Sequence, residues 1–325
     1  MVPPPRRMRY RYRLRRLTPV LVIAILAGGA GAWAGSRQHG APVATIAAPQ
    51  APQAPVAAVG KAAAKTVRHV QLLHSEPIAH TFRPSLLGKA AVLVDASTGR
   101  VLWELNPHQR REVASTTKIM TALLALRKLG PNEIVTVDKS VPRVPLVREG
   151  LRAGERVEAW KLFYSLLLFS GNDDALALAI AAGGTKWHFV HEMNVEARIL
   201  GLHDTHFVSP SGVVDVDNYS SAWDLAALTR VALQNARFRN IVKTKVKHVP
   251  WAAPTFAKIY VNNNRLLGAY PGANGVKTGY THKAGPCLVA SATRNGVTLI
   301  AVVLDSPDMY TDATRLLNFG FASLG

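Results

Sequence analysis

The chain has 325 residues, 48% of them hydrophobic, enough to bury a sizeable core in one large or two small domains. Its formal charge is +19, but seven arginines crowd into the first 34 residues without an acid, and the other 32 basic residues face 20 acidic ones, about +12. That surplus suits a polyanionic surface such as an anionic cell wall or lipid headgroups. Nucleic acid is not indicated, because there is no recognition helix, aromatic RNA motif or zinc-finger spacing.

Arg6 to Arg16 form a basic segment, Leu17 to Ala27 an apolar one, and Ala32-Trp33-Ala34 a small-x-small cleavage pattern. Residues 1–34 therefore read as a signal peptide cut before Gly35. The rival is a retained signal anchor, since the apolar stretch to Gly35 could span a bilayer at ~1.5 Å per residue. Either way the rest of the chain is expected outside the cytoplasm, associated with the cell wall or anchored at its N-terminus. Residues 35–75 read as a linker, rich in Ala and Pro, with prolines at 42, 49, 52 and 55. From residue 76 the composition becomes globular.

Ala91 to Val94 and Val101 to Trp103 predict a hairpin through Ser97-Thr98-Gly99. Ser115 to Leu129 predicts a helix stopped by Gly130-Pro131. Glu158 to Leu168 and Asp173 to Ala182 predict two more helices, broken at Ser170-Gly171-Asn172, and Trp187 to Leu200 a further one. Ser221 to Asn235 opens with a capping-box-like Ser221-x-x-Asp224. Cys287 to Thr293 and Val297 to Leu304 predict strands joined by Arg294-Asn295-Gly296, and Thr311 to Leu324 a last helix. The only cysteine, Cys287, lies in an apolar run, so it is core rather than nucleophile, and no intrachain disulfide can form. Strands at both ends with helices between predict an α+β domain whose single antiparallel sheet draws on both ends of the domain.

Three short motifs occur in order: Ser115-Thr116-Thr117-Lys118, Ser170-Gly171-Asn172 and Lys277-Thr278-Gly279. Each alone is weak; Ser-x-x-Lys could be a helix cap and Lys-Thr-Gly a turn. Their joint order is specific. At i and i+3 on a helix, Ser115 and Lys118 project to the same side, and a serine hydroxyl needs a nearby base to become nucleophilic. A lysine serves as base only when neutral. Burial and the second cation Lys277 would lower its pKa from about 10.4, and reaching about 7 requires ~4 kcal/mol. Ser170 fits a hydroxyl relay, Asn172 holds an amide and Lys118 together, and Lys277 with Thr278 suits a carboxylate.

The three motifs resemble those of penicillin-binding proteins and serine β-lactamases. Ala91 to Gly99, Ala114 to Thr121, Leu166 to Asp173, Gly201 to Phe207 and Asn262 to Tyr280 are similar to the low-molecular-mass serine-type D-alanyl-D-alanine carboxypeptidases, over about residues 85–325. The resemblance implies the β-lactamase/transpeptidase-like fold, an antiparallel sheet with flanking helices and a helical lobe. It implies Ser115 as nucleophile, Lys118 as base and Ser170 as relay. Asn172, Lys277, Thr278 and Gly279 would bind substrate, and the backbone amides of Ser115 and Tyr280 would form an oxyanion hole. The implied substrate is the peptidoglycan stem pentapeptide, with β-lactam antibiotics as inhibitors, no metal and no cofactor.

Two departures from the family pattern stand out. The sequence reaches Gly325 without a second all-β domain or a C-terminal amphipathic anchor, so any membrane attachment is expected at the N-terminus. The loop Asp305 to Thr314 has no basic residue, which leaves Lys277 and Thr278 as the expected carboxylate binders.

Among rivals, His188-x-x-His191-Glu192 with His203 and His206 does not match a zinc-protease pattern. A β-lactamase needs a deacylating carboxylate, and Glu192 and Glu196, the only glutamates between Asn172 and Lys277, sit in a predicted helix. A D,D-endopeptidase acting on cross-links would use the same residues. A non-catalytic penicillin-sensing or wall-binding module would be expected to carry a degraded motif set.

Overall fold

Residues 71–74, 84–213, 217–251 and 256–324 are described by the computed structural model. The N-terminal segment and nearly all of the linker lie outside the described residues. Residues 71–74 depart from the linker expectation: Leu72 is buried, and Leu73 exchanges backbone hydrogen bonds with Gly99 and Val101. Two consecutive leucines give this stretch apolar surface to bury, which the Ala/Pro sequence before it lacks.

β1 (Ala90–Asp95) and β2 (Val101–Leu105) form the predicted hairpin, its turn held by Asp95 accepting from the Ser97 backbone N–H. A single 3₁₀ turn (Ala114–Thr117) then leads into α1 (Lys118–Lys128). A two-stranded ribbon of β3 (Ile134–Thr136) and β4 (Arg156–Glu158) brackets residues 137–155. α2 (Ala159–Tyr164) widens into a π turn (Ser165–Phe169) and gives way to α3 (Asn172–Gly183). The single helix expected over Glu158 to Leu168 is therefore two local geometries.

α4 (Lys186–Ile199) is capped by the Thr185 side chain and α5 (Ala222–Ala232) by Ser221, which accepts from the Asp224 N–H. α6 (Ala236–Val242) is capped by Asn235. A second ribbon pairs β5 (Val246–Val249) with β6 (Lys258–Val261). β7 (Ala273–Thr281), β8 (Gly285–Arg294), β9 (Val297–Leu304) and α7 (Met309–Leu324) complete the described chain. Asn295 and Gly296 both take positive φ (49° and 81°), the backbone that a tight hairpin turn requires.

The main sheet runs β2-β1-β9-β8-β7, antiparallel throughout, so its strands come from both ends of the domain as expected. Both faces are covered, which is why these strands read as continuous apolar runs. Val92, Val94, Val289, Ile300 and Val302 pack in one cluster with Ile119 and Leu123 of α1 and Leu225 of α5. Ala91, Leu93, Leu288, Ala301 and Val303 pack in another with Leu316 and Leu317 of α7. Cys287 is fully buried, and burial pushes its thiol up to about 11, as its core reading requires.

Candidate active site

Ser115 sits in the 3₁₀ turn, one residue after Ala114, which takes the left-handed φ of 47°. An L residue other than Gly, Asn or Asp seldom adopts that backbone, and where it does the surroundings hold it there. One such neighbour is Gly212 (φ 71°), where an added Cβ would lie 2.2 Å from Ala114 O and 2.2 Å from Thr117 Oγ1. The segment Ser209 to Gly212 thus lies against the turn that carries Ser115. The sequence does not single out Ser209-Pro210-Ser211-Gly212; its composition is that of a turn and carries no sign of this contact.

Lys118 begins α1 and is fully buried. Its Nζ lies 2.8 Å from Ser115 Oγ, 2.8 Å from Asn172 Oδ1 and 3.2 Å from Ser211 O. Burial, and then the charge of Lys277, drive its pKa well below the ordinary lysine value, against the opposing pull of Asp174 and Asp173. Lys277 on β7 is also buried, and desolvation brings its pKa down to about 7; its Nζ donates to Thr278 O at 3.0 Å.

Ser170 follows the π turn and takes φ 77°, a second left-handed non-glycine residue in the site. Its N–H bonds Ser165 O at 2.8 Å, while its Oγ is buried and has no hydrogen-bond partner among the described residues. A buried hydroxyl left unmatched costs free energy, and because Ser170 lines the groove its Oγ is available to a molecule bound there. Asn172 opens α3. Its N–H donates to Val147 O at 2.9 Å and its Nδ2 to Pro145 O at 3.3 Å.

That loop is held by a residue without an assigned role in the sequence reading. Asp173 accepts from the backbone N–H groups of Glu149 (2.8 Å), Gly150 (2.8 Å) and Leu151 (3.2 Å). Beside it, fully buried Asp174 receives the Ser165 hydroxyl, and desolvation together with the Asp173 charge raises its pKa well above the ordinary range. The only sequence signal was the doubled aspartate directly after Ser170-Gly171-Asn172.

Thr278, Gly279 and Tyr280 end β7 beside Ser115, and with Ser115 and Ser170 they line a groove of about 930 Å³. Lys118 and Lys277 are buried and contact two of its lining residues, Ser115 and Thr278 respectively. All the residues singled out from the three motifs therefore gather in one place, with the Tyr280 side chain exposed at the rim. The stretch 305–314 supplies Pro307, Asp308, Met309 and Tyr310 to the lining and no cation. A cation comes instead from Arg265, whose guanidinium carbon lies 5.8 Å from the Tyr310 ring centroid. Glu192 and Glu196 are engaged elsewhere, with Lys128 and Arg127. His188 approaches Glu192 at 3.4 Å, and the His206 ring packs tilted against Tyr219, with centroids 5.8 Å apart.

A family model described as D-alanyl-D-alanine carboxypeptidase matches residues 78–308. The chain belongs to that family. A D-alanyl-D-alanine carboxypeptidase of Streptomyces sp. strain K15 is 36% identical over 273 residues, covering 77% of this chain and 92% of the relative. The crystal structure of the Streptomyces K15 DD-transpeptidase superposes with a TM-score of 0.71 at 36% identity, covering 74% of this chain and all of that one. D-alanyl-D-alanine carboxypeptidase DacF of Bacillus subtilis is 35% identical over 244 residues, 72% of this chain, and the match spans 62% of DacF. The fold is accordingly the β-lactamase-like one of the penicillin-binding DD-peptidases, as the motifs implied.

Proposed function

We propose that this chain is a serine D,D-carboxypeptidase that removes the terminal D-alanine from peptidoglycan stem pentapeptides through an acyl-enzyme on Ser115. The observation that carries this reading is the 2.8 Å separation of Lys118 Nζ from Ser115 Oγ, where burial disfavours the ammonium form. Neutral Lys118 takes the hydroxyl proton as Ser115 Oγ attacks the carbonyl carbon of the last peptide bond. The negative oxygen that forms is stabilised by the backbone N–H groups of Ser115 and Tyr280.

The proton on Lys118 passes through Ser170 Oγ to the leaving nitrogen, the C–N bond breaks, and D-alanine departs. The otherwise unmatched Ser170 hydroxyl supports that relay. Asn172 keeps Lys118 in place and offers its amide to the substrate backbone. Lys277, Thr278 and Gly279 shape the pocket for the terminal carboxylate. Water then adds to the acyl carbon, giving its proton to Lys118, and the bond to Ser115 Oγ breaks with return of a proton to the serine.

Release of free D-alanine from a peptide ending in D-Ala-D-Ala tests the reading, with Ser115→Ala inactive. Cleavage of a cross-linked dimer without release from the pentapeptide would replace it with an endopeptidase. Binding to wall fragments with neither reaction would replace it with a non-catalytic module. Benzylpenicillin should leave a persistent adduct on the peptide containing Ser115, because Glu192 and Glu196, the only glutamates between Asn172 and Lys277, pair with Lys128 and Arg127 instead. Rapid return to the unmodified mass would count against this.

We further propose that the domain works outside the cytoplasm and is held by anionic envelope polymer through its basic surplus. A salt wash of the envelope fraction with N-terminal sequencing tests this. Protein released only by detergent, with its N-terminus upstream of Leu17, would establish an anchored form instead.

A further inference from the structure

A second cavity, of about 530 Å³, lies away from the catalytic groove and shares none of its lining residues. Its walls come from the end of β1, from α5 and α6, and from the β8–β9 hairpin. Asn274, at the start of β7, lines it, while Thr278 on the same strand lines the groove. Four residues of strand separate the two, roughly 13 Å at ~3.3 Å each.

All charged side chains lining this cavity are cationic: Arg230, Arg239 and Lys243. Arg230 is largely buried, and its guanidinium donates to Ala96 O (3.0 Å), Gln71 O (3.1 Å) and Ser97 O (3.3 Å), with Asp95 close enough to act on its charge. Arg239 donates through Nη1 to Leu233 O and Gln234 O. Among the described residues, its other guanidinium nitrogens and the Lys243 ammonium make no hydrogen bond or ion pair. Two cations with spare donors therefore face a space without a carboxylate on its wall, which is the arrangement that selects an anion.

The opposite side is polar but uncharged. Ser291 Oγ donates to Asn274 Oδ1 (2.6 Å), Asn274 Nδ2 donates to Thr293 Oγ1 (2.7 Å), and Thr293 Oγ1 shares a hydrogen bond with Thr298 Oγ1 (2.7 Å). Only one proton can occupy the link between the two threonines, so one threonine hydroxyl proton and the second Asn274 N–H remain free to bond a ligand. The volume is that of a small-molecule site and exceeds what a bare inorganic anion fills.

We propose that this cavity binds a phosphodiester carrying free hydroxyls, of the glycerol-phosphate kind, with Arg239 and Lys243 on the phosphate and Asn274, Thr293 and Thr298 on the hydroxyls. The same chemistry occurs in an anionic polyol-phosphate wall polymer and in a phosphatidylglycerol headgroup. Either would hold the domain at the envelope through a site separate from catalysis.

The test is calorimetric titration of the full chain with glycerophosphoglycerol at low salt. Saturable one-site binding is expected, weakened at least about tenfold in Arg239→Gln/Lys243→Gln and less in Lys243→Gln alone. Thr298→Val should weaken glycerophosphoglycerol but not inorganic phosphate. Acylation of Ser115 by benzylpenicillin should be unchanged in every variant, which verifies folding and keeps the result independent of the proposed peptidase activity. Equal affinity in wild type and the double variant would overturn the proposal. So would loss of binding after Ser115 is acylated, since the ligand would then occupy the groove, or no saturation by about 10 mM. Soluble poly(glycerol phosphate) and vesicles of phosphatidylglycerol or phosphatidylcholine distinguish the sources. Binding to the polymer alone assigns the wall, and binding to phosphatidylglycerol vesicles alone assigns the headgroup.

Discussion

Gly279 and Ser115 meet backbone to backbone: a Cβ added at Gly279 would lie 3.0 Å from Ser115 N and 2.8 Å from Val113 O. The glycine of the third motif is therefore a matter of space, since it lets β7 approach the turn that carries Ser115. Gly279→Ala must push β7 and that turn apart by a few tenths of an ångström. The expected result is a fall in the penicillin acylation rate of about 10² with the fold retained, because small misplacements of reacting groups have effects of that size. Stopped-flow acylation with circular dichroism checks it; a rate within threefold of wild type would show that the contact does not position Ser115.

Lys118→Arg keeps a cation but removes any accessible neutral form. Acylation should fall by about 10³, within the range attributed to a general base. In the wild type the rate should rise with pH as Lys118 loses its proton, and Lys118→Arg should flatten that rise. A pH–rate profile unchanged by the substitution would remove Lys118 from the role of base.

Lys277 has a folded pKa of about 7 against an ordinary 10.5. Between those values the unfolded chain binds more protons than the folded one, so stability should increase as pH rises from about 7 towards 10.5. Lys118 acts in the same direction. Asp174, whose folded pKa is raised, acts oppositely above the ordinary carboxylate value, where the folded state holds the extra proton. Denaturant midpoints measured from pH 7 to 9 should climb in the wild type and climb less in Lys277→Met. An equal slope in the two proteins would rule out the buried ammonium as its source.

The two aspartates after Asn172 should respond differently to the same change. Asp173→Asn leaves one acceptor oxygen where the carboxylate now serves four backbone N–H groups, those of Glu149, Gly150, Leu151 and Asp174, and should cost about 2 kcal/mol. Acylation should fall with it, since that loop also holds Asn172. Asp174→Asn replaces a carboxyl already biased towards its neutral form and should stay within about threefold of wild-type acylation at neutral pH. Urea denaturation and acylation rates for both variants check the contrast, which equal effects would contradict.

Arg265 should matter for substrates that end in a carboxylate. Arg265→Ala is expected to raise KM for a D-Ala-D-Ala peptide by about tenfold, while changing that of the corresponding amide little. Equal effects on acid and amide would show that the guanidinium does not sense the terminal charge.

Much of this site was legible because its chemistry is written in contiguous motifs. Ser115 and Lys118 are three residues apart, and the Asn295-Gly296 turn and the Ser221 cap are equally local. What escaped depends on long-range approach. Nothing in the spacing of Ser211 and Gly212 announces that they lie against Lys118 and Ala114, because that contact exists only once the helical region has packed. The same holds for Asp173 and the loop at 149–151, and for Arg265, which reaches the groove from a different element than the 305–314 loop. The β3–β4 and β5–β6 ribbons were missed because strands of three or four residues carry too few alternations to stand out.

The pairing of Leu73 with Gly99 and Val101 makes the two borders of the main sheet unequal. On the β2 border an additional segment already occupies part of the backbone ladder. On the β7 border, four strands and roughly 19 Å away at ~4.8 Å per strand, no further strand pairs with β7 among the described residues, and the groove runs along it. Open borders of this kind accept any extended chain that can dock, including another copy of the protein. A peptide lying in the groove can add there as a sixth strand and draw binding energy from main-chain groups that are indifferent to side-chain identity. Discrimination among peptides then falls to the few side chains at the rim, so the affinity of this surface and its selectivity can change independently.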